Sequence, residues 1–473
     1  MTGRADIIRP KWHFALKKGW LNDPNGLVWF KGEYHLYFQC NPYGNEWAMM
    51  HWGHARSKDL IHWEECGAAL LPEKEYELWQ RGGCFSGSLI VYKDRLYAFY
   101  TAVSSRDGES FQTQCMAYSD DGHHFERAAE NPLIGRCPCP DSHDFRDPKV
   151  IYHNGRWQML CGGSSGDAED RRSHGRIYLF HSEDLLHWDY DGILYEAKDG
   201  EGSMFECPDI FPLGDHWVIT ASPMNRTDFQ STIYMMGMVN FKNCIFYVES
   251  SGTLDFGPHY YASQVYRDRY GRLISMAWLG GWEWMPWIRD HGPSEEDGYR
   301  GVLSYPRLLS EARDGALKMR PYSDIDDAAR EEGELIRKIA RGTSAELFRG
   351  KEPVRIRGSI ERSMGTNLIQ FRFMDEDSHC ILVCLDFLFG SISTDFTEAD
   401  PWIKNGRKLY KAEIGGEDEI PFELIRDGNV LELFLFDGRY AVSSMIYPSG
   451  GKFRLLIGNK GAGIKLRYSI SGS

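Results

Sequence analysis

Residues Leu27–Phe38 read LVWFKGEYHLYF, two short runs of aromatic and branched residues on either side of a Lys31-Gly32 turn. Such residues suit a pleated strand, and a glycine in a two-residue loop supplies the backbone that a tight hairpin needs. The figure returns as LIVYKDRLYAFY from Leu89, VIYHNGRWQML from Val150 and IFPLGDHWVIT from Ile210. With a longer turn it returns once more, as QVYRDRYGRLISMAW from Gln264. A second element keeps step with the first: SKDLIHWEE at Ser57, SDDGHHFER at Ser119 and SEDLLHWDY at Ser182, whose starts lie 62 and 63 residues apart. Each places an acid two residues after the serine, a histidine three further on, and then an aromatic. Five copies of a small antiparallel sheet at a spacing of about sixty residues predict a five-bladed β-propeller. One blade cannot bury both of its faces, whereas blades packed around an axis can.

The recurrence stops near Ser310, so residues 1–320 are expected to form the propeller. SDIDDAAREEGELIRKIA (Ser323–Ala340) is charged and moderately helix-favouring, and residues 321–344 read as a linker. Beyond it, segments such as CILVCLDFLFG and VLELFLFDGRYAVSSMIY are strand-like without that period. Residues 345–473 are therefore expected to form an antiparallel β-sandwich, which makes the chain all-β.

A hydrophobic fraction of 42% with 26% charged residues describes a water-soluble globular chain. The net charge of −14 argues against nucleic acid or an anionic membrane surface as a partner. No apolar run reaches the length of a membrane span, and MTGRADIIRPKWHF lacks the pattern of a secretory signal. The eleven cysteines, odd in number and scattered, read as reduced thiols. Cys137 and Cys139 have no second Cys or His pair at metal spacing. A cytoplasmic location is the expectation.

Attention then falls on what precedes each hairpin. Asp23, in GWLNDPNG, lies nine residues before Gly32; Asp147, in FRDP, eight before Gly155; Glu206, in FECPD, nine before Asp215. Before the second hairpin stands CFSGS, with Phe85 and Ser86. Equivalent positions on innermost strands crowd around a propeller axis, so the three acids are expected in register around one cavity. A hard cation wants six to eight oxygens, often from one contiguous loop, and no such loop is visible. Neither a metal nor a cofactor is expected. Glycoside hydrolysis needs one ionised carboxylate and one kept protonated. The amides of Asn22 and Asn25 are expected to hold Asp23 ionised, while Phe205, Cys207 and the nearby acids should raise Glu206.

GWLNDPNG, FQCNP, WGHARS, FSGS, FRDP and FECPD, in this order, resemble the motif series of glycoside hydrolase family 32, the invertases and β-fructofuranosidases. DFGPHYYASQ, MAWLGGW and GVLSYPRLLS continue the series, so the resemblance covers about His13 to Arg320, and LELFLFDGRYAVSSMIYP extends it further. It implies a five-bladed propeller followed by a β-sandwich. It implies that Asp23 is the nucleophile, Glu206 the acid/base and Asp147 the transition-state stabiliser. Asn22, Gln39, Trp47, Phe85, Ser86, Arg146 and Trp282 fall where the family lines its fructose pocket, and Trp20 and Leu21 begin the same loop. Arg146 should also keep Asp147 ionised. Cys40 departs from the aromatic residue that many relatives carry after the glutamine.

The implied substrate is a small carbohydrate: sucrose, sucrose 6-phosphate or a short fructo-oligosaccharide. Lys149, Arg171 and Arg172 stand as candidates for a phosphate. A transfructosylase or a fructan exo-hydrolase would share every motif. A non-catalytic sugar-binding propeller would be expected to have lost one of the acids. The sandwich is expected to cover apolar propeller surface or to mediate homo-oligomer contacts.

Overall fold

The computed structural model describes residues 9–228, 231–282, 294, 296–312, 315–323, 333–399 and 409–472. Strands dominate it. Five sheets follow one another along the chain, each beginning with a hairpin that the sequence repeat marks. The first strands of the sheets are Gly19–Phe30, Gly83–Tyr92, Phe145–His153, Met204–Leu213 and Tyr261–Arg267. Each packs against the next, and the fifth against the first, so these five strands ring the axis. Tyr299 and Arg300, from a connection within the fifth blade, pair in parallel with Gly19 and Trp20 of the first and help to close the ring.

The Ser-x-Asp repeat is a turn device. Ser57 Oγ accepts the amide of Leu60, and Asp59 Oδ1 accepts those of Ile61 and His62. His62 Nδ1 then meets Asp59 Oδ2 at 2.7 Å. Ser119 with Asp121, and Ser182 with Asp184, repeat these bonds in the next two blades. Side chains capping their own backbone are what Ser and Asp do in turns. The repeat thus marks the step from a blade's third strand to its outermost one, and its histidines are exposed.

After the propeller come two six-stranded antiparallel sheets whose facing side chains form one apolar core. Strands such as Cys380–Asp386 alternate between buried and half-buried, as a two-layer sandwich requires. One boundary moves. Residues Leu335–Ile339, expected in the linker, form an edge strand that pairs with Ile464–Gly472. Most of the charged segment before them, 324–332, lies outside the described residues.

The seam between propeller and sandwich is polar at its centre. Arg307, fully buried, donates to Asp255 Oδ2 and to Glu432 Oε1, both at 2.8 Å. His13 lies 2.9 Å from Asp427 Oδ2 and 3.5 Å from Glu432 Oε2. The amides of Lys11, Trp12 and His13 all donate to Asp427, which ties the start of the described chain to the sandwich.

Candidate active site

Every innermost strand carries a β-bulge at the same place. Two residues face one on the neighbouring strand: Asn22 and Asp23 against Gln39, Phe85 and Ser86 against Thr101, Asp147 and Pro148 against Cys161. Cys207 and Pro208 face Ala221, and Ala262 and Ser263 face Ala277. Bulges re-aim side chains, and five in a ring turn one end of the axis into a rosette of displaced residues. The acids are therefore not in register, contrary to the expectation from counting back from the turns. Glu206 precedes its bulge, Asp147 is the first bulge residue and Asp23 the second. Three blades thus present carboxylates at three successive steps.

Asp147, Cys207 and Ala262 adopt left-handed backbone, with φ of 64°, 47° and 53°. Residues other than glycine held there cost about 1–3 kcal/mol each. Each strained amide is caught by a side chain of the preceding blade. Asp147 N donates to Thr101 Oγ1 at 2.9 Å, Cys207 N to Asp147 Oδ2 at 2.8 Å and Ala262 N to Ser222 Oγ at 2.8 Å. The blades fix one another's bulges.

The carboxylates are joined through this frame. Asp23 Oδ2 accepts from Ser86 Oγ at 2.6 Å and from Cys207 Sγ at 3.5 Å. Asp23 Oδ1 is buried with no hydrogen-bond partner among the described residues. Cys207 touches Asp23 with its thiol and Asp147 with its amide, and so ties two of the acids together. Glu206 Oε1 accepts from Arg146 Nη2 at 2.8 Å and Nε at 3.2 Å, and Tyr261 donates its hydroxyl to Oε2. Arg146 also pairs with Asp144.

Three electrostatic expectations change. Asp23 is not held at an ordinary carboxylate value: burial pushes it up to about 6 against the pull of the Ser86 hydroxyl, and Glu206 adds to the rise. Asp147 is pushed up to about 7 by burial, which outweighs the nearby Arg146, with Glu206 again adding to it. Nor is Glu206 set among apolar groups, since a guanidinium and a phenol hold its two oxygens.

An aromatic wall stands beside the acids. Trp282 stacks on Trp20 at 6.1 Å and meets Trp47 edge-on at 6.2 Å, while Trp47 meets Phe85 at 5.9 Å. Trp20 Nε1 donates to Asn22 Oδ1 at 2.7 Å. The expected pocket residues divide accordingly. Trp47, Phe85 and Trp282 are half-buried, whereas Leu21 belongs to the core. Gln39 is buried opposite the first bulge and donates to Cys84 O on the second blade. Cys40 is a core residue paired across from Leu21. Lys149 is no phosphate ligand: it is buried, donating to Asp209 and to Val265 O. Arg172 is exposed and paired with Asp170.

Tyr261, Thr101 and Trp278 were not anticipated, and Cys207 was expected only as an apolar neighbour of Glu206, not as a link between Asp23 and Asp147. Trp278 packs 5.1 Å from Trp282 and 5.8 Å from Trp20. Tyr261 could have been found inside DFGPHYYASQ, where it stands at the start of the fifth hairpin as Glu206 stands near the start of the fourth.

Comparison with known sequences fits this geometry. The profile of the glycosyl hydrolases family 32 N-terminal domain matches residues 13–321. The chain belongs to glycosyl hydrolase family 32. Among its family-32 relatives is a sucrose-6-phosphate hydrolase of Zymomonas mobilis, 30% identical over 469 residues, covering 93% of this chain and 87% of that protein. A raffinose invertase of Escherichia coli is 29% identical over 473 residues, covering 96% and 92%. Among solved structures, a family-32 β-fructofuranosidase of Bombyx mori superposes with a TM-score of 0.79 at 27% identity, covering 98% of this chain and 95% of that one.

Proposed function

We propose that this family-32 chain is a retaining β-fructofuranosidase that releases terminal fructosyl units from sucrose, sucrose 6-phosphate or short fructo-oligosaccharides. The observation that carries the reading is the bulge-mounted set of Asp23, Asp147 and Glu206, held by Ser86, Cys207, Arg146 and Tyr261. Asp23 Oδ1, the carboxylate oxygen without a partner, attacks the anomeric carbon. The glycosidic bond breaks and Glu206 gives its proton to the leaving oxygen. In the second step Glu206 takes a proton from water as that water attacks the same carbon, and the bond to Asp23 breaks. Asp147 binds sugar hydroxyls and steadies the developing positive charge.

Burial raises Asp23 to about 6 and Asp147 to about 7, so these two carboxyls take up protons near neutrality. A proton is therefore at hand within the site at the start of the cycle. The aromatic wall suits the apolar face of a sugar ring. Beyond Trp47 runs an open groove of about 980 Å³ lined in part by Asn45, Gln80 and Arg81. It suits the non-fructosyl part of the substrate, with Arg81 a cation for a phosphate. Eleven free thiols fit a reducing, cytoplasmic setting. We divide the chain functionally into a catalytic propeller and a supporting sandwich.

The test is to follow hydrolysis of sucrose, sucrose 6-phosphate and 1-kestose by NMR. β-Fructose is expected as the first anomer formed. Absence of fructose release from all three, or α-fructose as the first product, overturns the reading.

A further inference from the structure

The second copy of the Ser-x-Asp turn departs from the other two, and the departure gathers three imidazoles and a thiol. Where copies one and three have Leu60-Ile61 and Leu185-Leu186, copy two has Gly122-His123. Leu60, Gly122 and Leu185 share left-handed backbone, with φ of 71°, 80° and 72°. Leu60 and Leu185 bury their side chains in apolar clusters. A Cβ on Gly122 would stand 2.8 Å from the ring of His35, so the missing side chain makes room for that imidazole. His123 then comes to 4.9 Å, ring to ring, from His54. His35 and His54 stack with 7° between their planes and share a 3.1 Å contact between Nδ1 and Nε2.

Across the sheet, Cys66 is the extra residue of a bulge that interrupts the pairing of His54 and Ala55 with the outermost strand. One donor atom each from His54, Cys66 and His123 lies within 4.8 Å of the other two.

We propose that His54, Cys66 and His123 form a binding site for a divalent transition cation of the zinc class, joining the outer strands of the first blade to the turn of the second. Two imidazoles and a thiolate are the donor set that borderline-soft cations select, and hard cations do not. Tetrahedral zinc wants its donors about 3.4–3.7 Å apart, so the site closes by about 1 Å, which exposed His123 on its turn is placed to supply. His54 and His35 are both buried. Neutral imidazoles are the form that coordinates. The Cys66 proton leaves to solvent as the sulfur–metal bond forms. His35, bonded to His54, orients the ligand ring from behind, the common arrangement around metal-bound histidine. The site uses the outer half of the blade, away from the bulges at the axis. Its role is to pin two blades together.

The experiment titrates Co²⁺ into chelator-treated, reduced, full-length protein and follows the thiolate-to-cobalt charge-transfer band. Zn²⁺ is used to displace it, and thermal unfolding is run in parallel. One equivalent of cobalt in a tetrahedral spectrum is expected, with a rise in Tm on adding zinc and no change in kcat. His123→Leu restores the aliphatic class of the other copies and keeps every thiol. It should weaken metal binding about 100-fold or more while leaving the metal-free Tm intact. His123→Gln serves the same end if the leucine variant fails to fold, and Cys66→Ser should abolish the charge-transfer band. Absence of stoichiometric binding, or binding unchanged in the His123 variants, overturns the proposal.

Discussion

Two clusters of three acids, one at the propeller axis and one at its seam with the sandwich, behave oppositely. At the axis, the Arg146 guanidinium pairs with Glu206 and with Asp144 and acts on Asp147 as a nearby charge, while Asp23 has no ion pair among the described residues. At the seam, Asp255, Asp427 and Glu432 have two cations, Arg307 and His13. Burial raises every one of these carboxyls for which a shift is resolved, but at the seam the partners overturn it for two. Asp427 ends below its ordinary value through His13 and backbone amides, and Glu432 through Arg307 and His13. His13 is driven up to about 9, its acidic neighbours outweighing burial. At the axis burial wins, and Asp23 and Asp147 stay high. A buried cluster close to charge balance is mortar, and one short of positive charge is poised to exchange protons.

The largest effect expected from breaking this contrast is on turnover. Asp23→Ala removes the attacking oxygen and should lower kcat by several orders of magnitude through loss of covalent catalysis. It should leave Tm unchanged or higher, since it deletes a buried carboxyl held above its ordinary value. Steady-state hydrolysis of sucrose alongside calorimetry checks both. Retention of a tenth of wild-type kcat would remove Asp23 from the chemistry.

At the seam the same kind of deletion should do the reverse. Arg307→Met strands Asp255 and Glu432 in a dry interface and should destabilise by about 3–5 kcal/mol, while kcat per folded molecule holds. Replacing Arg307, Asp255 and Glu432 together by apolar residues of similar volume should recover most of that loss. The seam also has its own pH signature. His13 is raised in the folded state, so its contribution is complete below about pH 6.5 and fades as pH climbs through about 9. Denaturant midpoints measured from pH 6 to 10 read it directly.

How much of this was legible beforehand differs between the two clusters. The hairpin repeat gave the blades, and the acids before the hairpins could be found by counting back from the turns. The count could not see the bulges. An inserted pair leaves no mark in the composition of a strand, and it decided that Asp23, Asp147 and Glu206 stand on different steps. The seam was invisible for a different reason. Arg307 and Glu432 lie 125 residues apart, and each taken alone reads as an ordinary surface charge. DFGPHYYASQ was noticed as a motif, yet its Asp255 works at the seam and its Tyr261 at the axis. The edge strand Leu335–Ile339 was missed because four of its five residues are exposed and show no alternation.

A smaller effect separates stability from activity within the axial cluster. Asp147 is protonated more readily folded than unfolded, so the folded state binds the extra proton between about pH 4 and 7. Stability should therefore fall as pH rises across that window. Asp147→Asn keeps an oxygen for the Cys207 amide and removes the charge. It should flatten that fall and stabilise the protein at pH 7.5 by about 2 kcal/mol, while turnover drops sharply. Urea unfolding at pH 4.5 and 7.5 tests the sign. A variant less stable than wild type at the higher pH would mean that Arg146 compensates Asp147 fully.

The smallest effect sharpens the role of Glu206. Tyr261 is fully buried on the fifth blade and donates its hydroxyl to Glu206 Oε2, while Arg146 holds Oε1. The same hydroxyl lies 3.4 Å from Ser222 O, so Tyr261→Phe removes the bond to Glu206 together with that longer one and leaves the ring in place. A hydrogen bond to a charged group is worth about 1.5–3 kcal/mol, of which only the part that differs between ground and transition states reaches the rate. A fall in kcat of about tenfold is expected. Its distribution over substrates is the informative part. If the hydroxyl positions Glu206 for proton delivery, the loss should be felt with sucrose, whose leaving oxygen needs a proton. It should nearly vanish for the first step with an aryl fructoside, whose leaving group departs without one. An equal loss on both substrates would mean that Tyr261 supports the pocket as a whole rather than the proton donor.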